Sequence, residues 1–171
     1  MPFRIAPPEI DHPEYLRHRN WMQRSLELAE QAGNAGEVPV GAVIVRGDTV
    51  IAEGENRRER DRDPTAHAEV LALRQAGQVL NSWHLEDCTL YVTLEPCPMC
   101  AGAIVLARLG LLVYGADDPK AGAVRTVLNL PDSPASNHRL TVLGGILEAP
   151  CREQLRDWFR QRRDRAREMG R

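Results

Sequence analysis

His67 and Glu69 stand two residues apart in DPTAHAEVLALR, and Cys97 and Cys100 stand three apart in LEPCPMCAGA. An imidazole nitrogen and two thiolates are donors that bind zinc. Three protein donors leave the fourth tetrahedral position to water, the pattern of a catalytic rather than a structural site. Bound zinc lowers the pKa of water from about 15.7 to about 7. A carboxylate placed beside it can move protons, a role that contributes on the order of a hundred to ten thousandfold. Each stretch alone also allows a plainer reading. His67 could be a satisfied core histidine, Glu69 a partner of the helix dipole, and C-x-x-C a redox pair or half of a structural zinc site. Glu95 is a rival carboxylate. Its extended backbone before Pro96 suits it to a helix entry, so Glu69 is preferred as the proton carrier.

Both pairs fall at the starts of helices. Val70, Leu71 and Leu73 with their interleaved alanines predict a buried helix over 65–77. Asp63 or Thr65 can cap it, and Pro64 suits its start. A second helix is predicted over 97–108, after a short buried strand at Leu90–Thr93. Cys97 and Cys100 are then neighbours on one helix face, at an N-terminus that favours thiolates. Two such N-termini, each following a strand, can meet at one edge of an open α/β sheet, where ligands collect. Cys88 begins the strand whose far end delivers Cys97. Five strand residues span about 16 Å at roughly 3.3 Å each, so Cys88 does not reach the metal. Cys151, opening the last helix, stays available as a fourth donor.

The remaining pattern supplies the frame. A helix is predicted over 18–33, a strand through Val45, and a Gly47-Asp48 turn into a second strand, TVIAEG. That turn accounts for the RGD tripeptide at 46–48 better than adhesion does. Further strands are predicted at 111–115 and 140–143, a long loop at 117–138 with a helical turn near 124–128, and a final helix over 150–167. Strands alternating with helices predict an α/β sandwich, largely parallel, with one antiparallel hairpin. Residues 1–17, rich in proline, read as a loosely ordered extension, and 18–171 as a single domain. The chain has 171 residues, 43% hydrophobic and 27% charged, an ordinary globular composition. No apolar run approaches the roughly 20 residues of a membrane span, and the start lacks a signal peptide. A cytoplasmic protein with reduced thiols is expected. The formal net charge is −2, but from Arg152 onward eight arginines face four acids, leaving an acidic body with a basic tail. Arg152, Arg156, Arg160, Arg163 and Arg167 form one helical stripe, beside an apolar stripe of Leu155, Trp158 and Phe159. The stripe reads either as a solvated face paired with Glu153, Asp157 and Asp164, or as an RNA-binding face led by Arg160 and Arg163.

H-A-E followed by P-C-x-x-C resembles the zinc-dependent nucleoside and nucleobase deaminases. EVPVGAVIV, GEN, DPTAHAEVLALRQ, TLYVTLEPCPMCAGA, ADDPKAGA and NHR together resemble the bacterial tRNA adenosine deaminases, from about residue 21 to about residue 163. The resemblance implies a three-layer α/β/α cytidine-deaminase-like sandwich around a five-stranded mixed sheet, and a homodimer. It implies one zinc per subunit on His67, Cys97 and Cys100, with Glu69 as proton shuttle. The implied reaction converts the wobble adenosine of an arginine tRNA (anticodon ACG) to inosine, with the tRNA anticodon stem-loop as partner. By the same resemblance Asn56 hydrogen-bonds the nucleoside, the backbone N–H of Ala68 is a donor at the reacting centre, and Val40 is a pocket wall. Asp118 and Lys120 contact the anticodon-loop strand, and His138 is a further RNA contact. The rivals are a guanine deaminase, which can also carry HAEV and PCPMC, a non-catalytic RNA-binding subunit, against which Glu69 argues, and a structural zinc protein using Cys151. The first 20 or so residues and the loop PDSPAS match no motif.

Overall fold

The computed structural model describes residues 12–170, together with the backbone of 4 and 5. The five predicted strands are all present: β2 (Gly41–Arg46), β3 (Thr49–Glu55), β4 (Cys88–Leu94), β5 (Leu111–Ala116) and β6 (Thr141–Gly144). A two-residue strand, β1 (Arg4–Ile5), extends the sheet beside β6, giving the order β1-β6-β5-β4-β2-β3. β1, β6, β5 and β4 are mutually parallel, whereas β2 is antiparallel to both β4 and β3. The rest of the proline-rich stretch read as an extension, up to residue 11, lies outside the described residues. The first helix, α1 (Pro13–Asn34), starts earlier than its apolar spacing predicts. Pro13 at its first turn is pre-set for helix, and the His12 ring accepts the Glu14 N–H.

Every second residue of the central strands faces one helical layer. Ala42, Ile44, Leu90, Val92, Leu112 and Tyr114 pack against α3 (Ala68–Leu80) and α4 (Pro98–Leu106). Val43, Val45, Tyr91, Val113 and Leu143 pack against Met22 and Leu26 of α1 and Cys151 of α5 (Glu148–Glu168). Both faces are covered, which is why β2 reads as a continuous apolar run rather than an alternating one. A short helix, α2 (Arg58–Asp61), has no apolar spacing to predict it. The loop after β5 turns at 123–126, where the Val127 and Leu128 N–H groups donate to the Gly122 carbonyl, close to the expected 124–128, and carries a 3-10 turn at Leu130–Asp132 as well. Among the described residues no helix is long and apolar enough to cross a membrane.

Close approach sets how near α3 lies to β3. A Cβ on Gly54 of β3 would lie 2.2 Å from the Ala68 carbonyl oxygen and 3.0 Å from the Ala72 nitrogen. Both are backbone atoms, so no side-chain rotation relieves the clash. Gly54→Ala is expected to push α3 outward and cost about 1–3 kcal/mol. At about 2–4 °C per kcal/mol for a domain of this size, a thermal melt would show it, and an unchanged Tm would refute this explanation of the glycine.

Candidate active site

His67 is the N-cap of α3 and Cys97 the N-cap of α4. α3 begins at Ala68, later than predicted, because Asp63 spends its carboxylate on the N–H and hydroxyl of Thr65 and closes a separate turn. Neither N-cap side chain makes a capping bond to its helix, and the ring and the two thiols turn toward one another instead. Pro98, not Pro96, occupies the first turn of α4, and Cys100 follows it. The His67 Nδ1 lies 3.7 Å from Cys97 Sγ and 3.4 Å from Cys100 Sγ.

Those spacings suit a tetrahedral ion. Zinc bonds of about 2.3 Å to sulfur and 2.0–2.1 Å to nitrogen, at tetrahedral angles, separate N and S by about 3.6 Å. The three donors form the group able to hold a metal among the described residues, and no fourth His, Cys, Asp or Glu joins them. Cys151 is fully buried in the opposite layer, against Gly115. Cys88 lies at the far end of β4. The structural-zinc reading therefore loses its fourth ligand.

The two thiols divide one proton between them. A hydrogen bond from Cys100, then one from His67, pulls the Cys97 thiol down to about 4 against the cost of burial. The same interaction with Cys97, together with burial, pushes Cys100 up. The hydrogen bond with Cys97 raises His67. Glu69, on the first turn of α3, is buried beside the three donors, and desolvation raises its pKa. A carboxyl so placed favours its neutral form and can give as well as take a proton.

A MafB19-like deaminase family model matches residues 16–163. The tRNA-specific adenosine deaminase of Bacillus subtilis is 46% identical over 143 residues, covering 84% of this chain and 89% of that protein. The chain belongs to the tRNA-specific adenosine deaminase family. A solved structure from work on A-to-I editing by tRNA:A34 deaminases superposes on this deaminase with a TM-score of 0.77 at 43% identity, covering 79% of this chain and 98% of that one. A guanine deaminase from Nitrosomonas europaea shares the fold at 27% identity and a TM-score of 0.68, covering 86% and 92%.

Beside His67 and Glu69 the deaminase has a cavity of about 130 Å³, walled by Val38, Val40, Asn56, Arg58, Leu94 and the start of α3. Val40, Asn56 and Ala68 thus share one cavity with His67 and Glu69. Asn56 donates to the Val38 carbonyl. Its buried Oδ1 has no hydrogen-bond partner among the described residues, an acceptor left for a ligand. Ala68 opens α3, where the N–H groups of the first turn lack intrahelical partners. Asp118 and Lys120 follow β5 at the same sheet edge, and Asp118 Oδ1 accepts the N–H groups of Lys120 and Ala121. His138 is not brought to this edge. Its Nε2 bonds the Leu109 carbonyl, beside the start of β5, opposite the end that delivers the ligands. Arg160 and Arg163 are exposed on α5, and Arg160 pairs with Asp157 at 3.0 Å.

Three residues near the site escape a reading of the sequence. Arg58 lines the cavity. Glu37 is buried and accepts the N–H groups of Glu59 and Arg60, fixing the turn that presents Arg58. Arg162 joins Asn56, Arg58 and Phe159 in a neighbouring cavity and lies over the Trp158 ring at 5.1 Å. Arg162 does carry a signal: it sits four residues after Trp158, on the apolar stripe that faces the body.

Proposed function

We propose that this deaminase hydrolyses adenosine to inosine at the wobble position of a tRNA anticodon, with one zinc per chain, and that an arginine tRNA with anticodon ACG is a substrate. The observation that carries this is Glu69 buried beside a histidine and two cysteines at bond-compatible spacing. Zinc, when bound, supplies Lewis acidity and makes hydroxide available near neutral pH. Glu69 takes the proton of the attacking water at its carboxylate and delivers it to the exocyclic amine at C6, which leaves as ammonia. Asn56 Oδ1 accepts from the nucleoside, and the Ala68 N–H faces the reacting centre. The cavity is well below the roughly 300 Å³ of a typical small-molecule site. That size favours a single flipped base over a whole nucleotide, and an anticodon loop is already single-stranded, which keeps flipping inexpensive. Asp118, Lys120, Arg160 and Arg163 are the proposed contacts along the RNA. If each arginine neutralises one phosphate, Arg160→Gln and Arg163→Gln should each lower the salt slope of binding by about 0.7. An unchanged slope would remove those two from the interface.

The test is a product assay on an ACG anticodon stem-loop and on free guanine. Inosine at the wobble base supports the proposal. Xanthine alone would move the enzyme to nucleobase metabolism, and neither product with zinc bound would indicate a non-catalytic subunit.

The enzyme is proposed to act in the cytoplasm as a homodimer. The four cysteines are unpaired, as a reducing compartment requires. A groove of about 820 Å³ between α3 and α4 is lined by Val70, Leu73, Trp83 and Leu106, with Trp83 and Leu106 64% and 68% exposed. Apolar surface of this kind marks association sites. Leu106→Asp is expected to turn a sedimenting dimer into a monomer; a dimer that persists, or a monomeric parent, would sink this assignment.

A further inference from the structure

Glu95 is 2% exposed, and the reaction proposed above gives it nothing to do. Its carboxylate is nonetheless fully engaged. Oε1 accepts the N–H groups of Val124 at 3.3 Å, Arg125 at 2.8 Å and Thr126 at 2.9 Å. Oε2 accepts the Asp118 N–H at 3.0 Å and the Thr126 hydroxyl. All five donors come from the loop that follows β5, and no Lys or Arg side chain pairs with Glu95 among the described residues. Convergent backbone N–H groups around an anion form a nest, here with the anion supplied by the protein itself.

The backbone on either side closes the same joint. The Glu95 N–H donates to Ala116 and the Ala123 N–H to Pro96. Gly122 lies so close that an added Cβ would sit 2.2 Å from Glu95 Oε2 and 2.4 Å from its Cδ. The loop held this way carries Asp118 and Lys120. Asp118 turns the Lys120 backbone through its own carboxylate, and its N–H is one of the five donors to Glu95. Cys97 lies two residues beyond Glu95.

We propose that Glu95 is a positioning residue. It docks the 117–126 loop onto the strand end that delivers Cys97, and so fixes the wall bearing Asp118 and Lys120 relative to the metal ligands. The proposal rests on the reading that this wall meets RNA. Glu95→Gln keeps the size but puts an amide NH₂, a donor, where donors already point. Gly122→Ala presses the loop off the carboxylate from the other side, its Cβ also falling 2.6 Å from the Asp118 carbonyl oxygen, and leaves the Glu95 carboxylate itself unaltered, so the test survives a Glu95→Gln chain that fails to fold.

The experiment uses the zinc-loaded enzyme and an anticodon stem-loop with a wobble adenosine. Three quantities are read: metal content, hydrogen exchange of the amides of 118 and 124–126, and steady-state against single-turnover kinetics. Both variants should keep one zinc per chain and lose protection at those amides. KM should rise about tenfold while the saturating single-turnover rate stays within about threefold, the mark of weakened binding rather than impaired chemistry. Unchanged exchange would overturn the docking role, and faster exchange with unchanged KM would overturn the link to substrate. Zinc loss without loop loosening would assign Glu95 to the metal helix instead. A wild-type enzyme that makes no inosine would fail the RNA reading and the link built on it, while the exchange data still decide whether Glu95 holds the loop.

Discussion

Glu69→Gln is expected to keep one zinc per chain and to lower the single-turnover rate at a wobble adenosine by about a hundred to ten thousandfold. Glu69 is not in the ligand group, so metal content should not follow activity. The substitution preserves shape and removes only the ability to carry a proton. Stability gives an independent check with the opposite sign. Burial raises the Glu69 pKa above its unfolded value, so above the unfolded pKa the ionised form weakens the fold, and that weakening is relieved as pH falls. A neutral glutamine relieves it at every pH, so near pH 7 the metal-free variant should melt no lower than the metal-free parent. An inactive, zinc-loaded, equally stable protein is the predicted outcome. A rate within tenfold of the parent would pass the proton to another group, and Glu95, with its oxygens filled by the 117–126 loop, is poorly placed to take it.

The residues proposed to carry the chemistry are legible because that chemistry is written locally. His67 and Glu69, and Cys97 and Cys100, are each separated by fewer residues than one helical turn, and a helix start turns that spacing into geometry. The short apolar runs of β2, β4 and β5, each bounded by turn or helix signals, are enough to place the sheet. What escapes depends on interactions distant in sequence. Glu95 reaches residues 23 to 31 positions further on, and Glu37 binds a turn 22 and 23 positions away; a lone glutamate gives no sign of which amides will find it. The arginines of α5 show a different limit: periodicity gives a face but not each side chain's partner. Charge periodicity points to Arg160 and Arg163, yet Arg152, Arg160 and Arg167 pair along their own helix. Arg162 reaches the cavity beside the site because the body-facing stripe happens to include it. The NHR motif points to His138, but its position depends on where a long loop returns, which no local pattern encodes.

Removing a ligand separates the metal from the fold. Cys97→Ser and His67→Ala are each expected to bring zinc to near zero per chain and activity below detection, whereas Cys151→Ser should retain full zinc. The metal-free chain should still fold, because the triad caps two helices whose inner faces are already buried against the sheet. Zinc then adds stability by mass action, about 2.7 kcal/mol at a free concentration a hundredfold above Kd. At about 2–4 °C per kcal/mol that is a rise in Tm of roughly 5–11 °C, present in the parent and absent from the ligand variants. Protons compete for the same donors. Cys97 already tends to the thiolate, but Cys100 holds its proton in the metal-free state, and binding must release it. Apparent affinity should therefore fall as pH falls, by about tenfold per unit for each proton released. Zinc titrations of the parent at two pH values, beside melts of the three variants, test all of this in one series. Full zinc in either Cys97→Ser or His67→Ala would sink the three-ligand site, and loss of zinc in Cys151→Ser would return the structural-zinc reading.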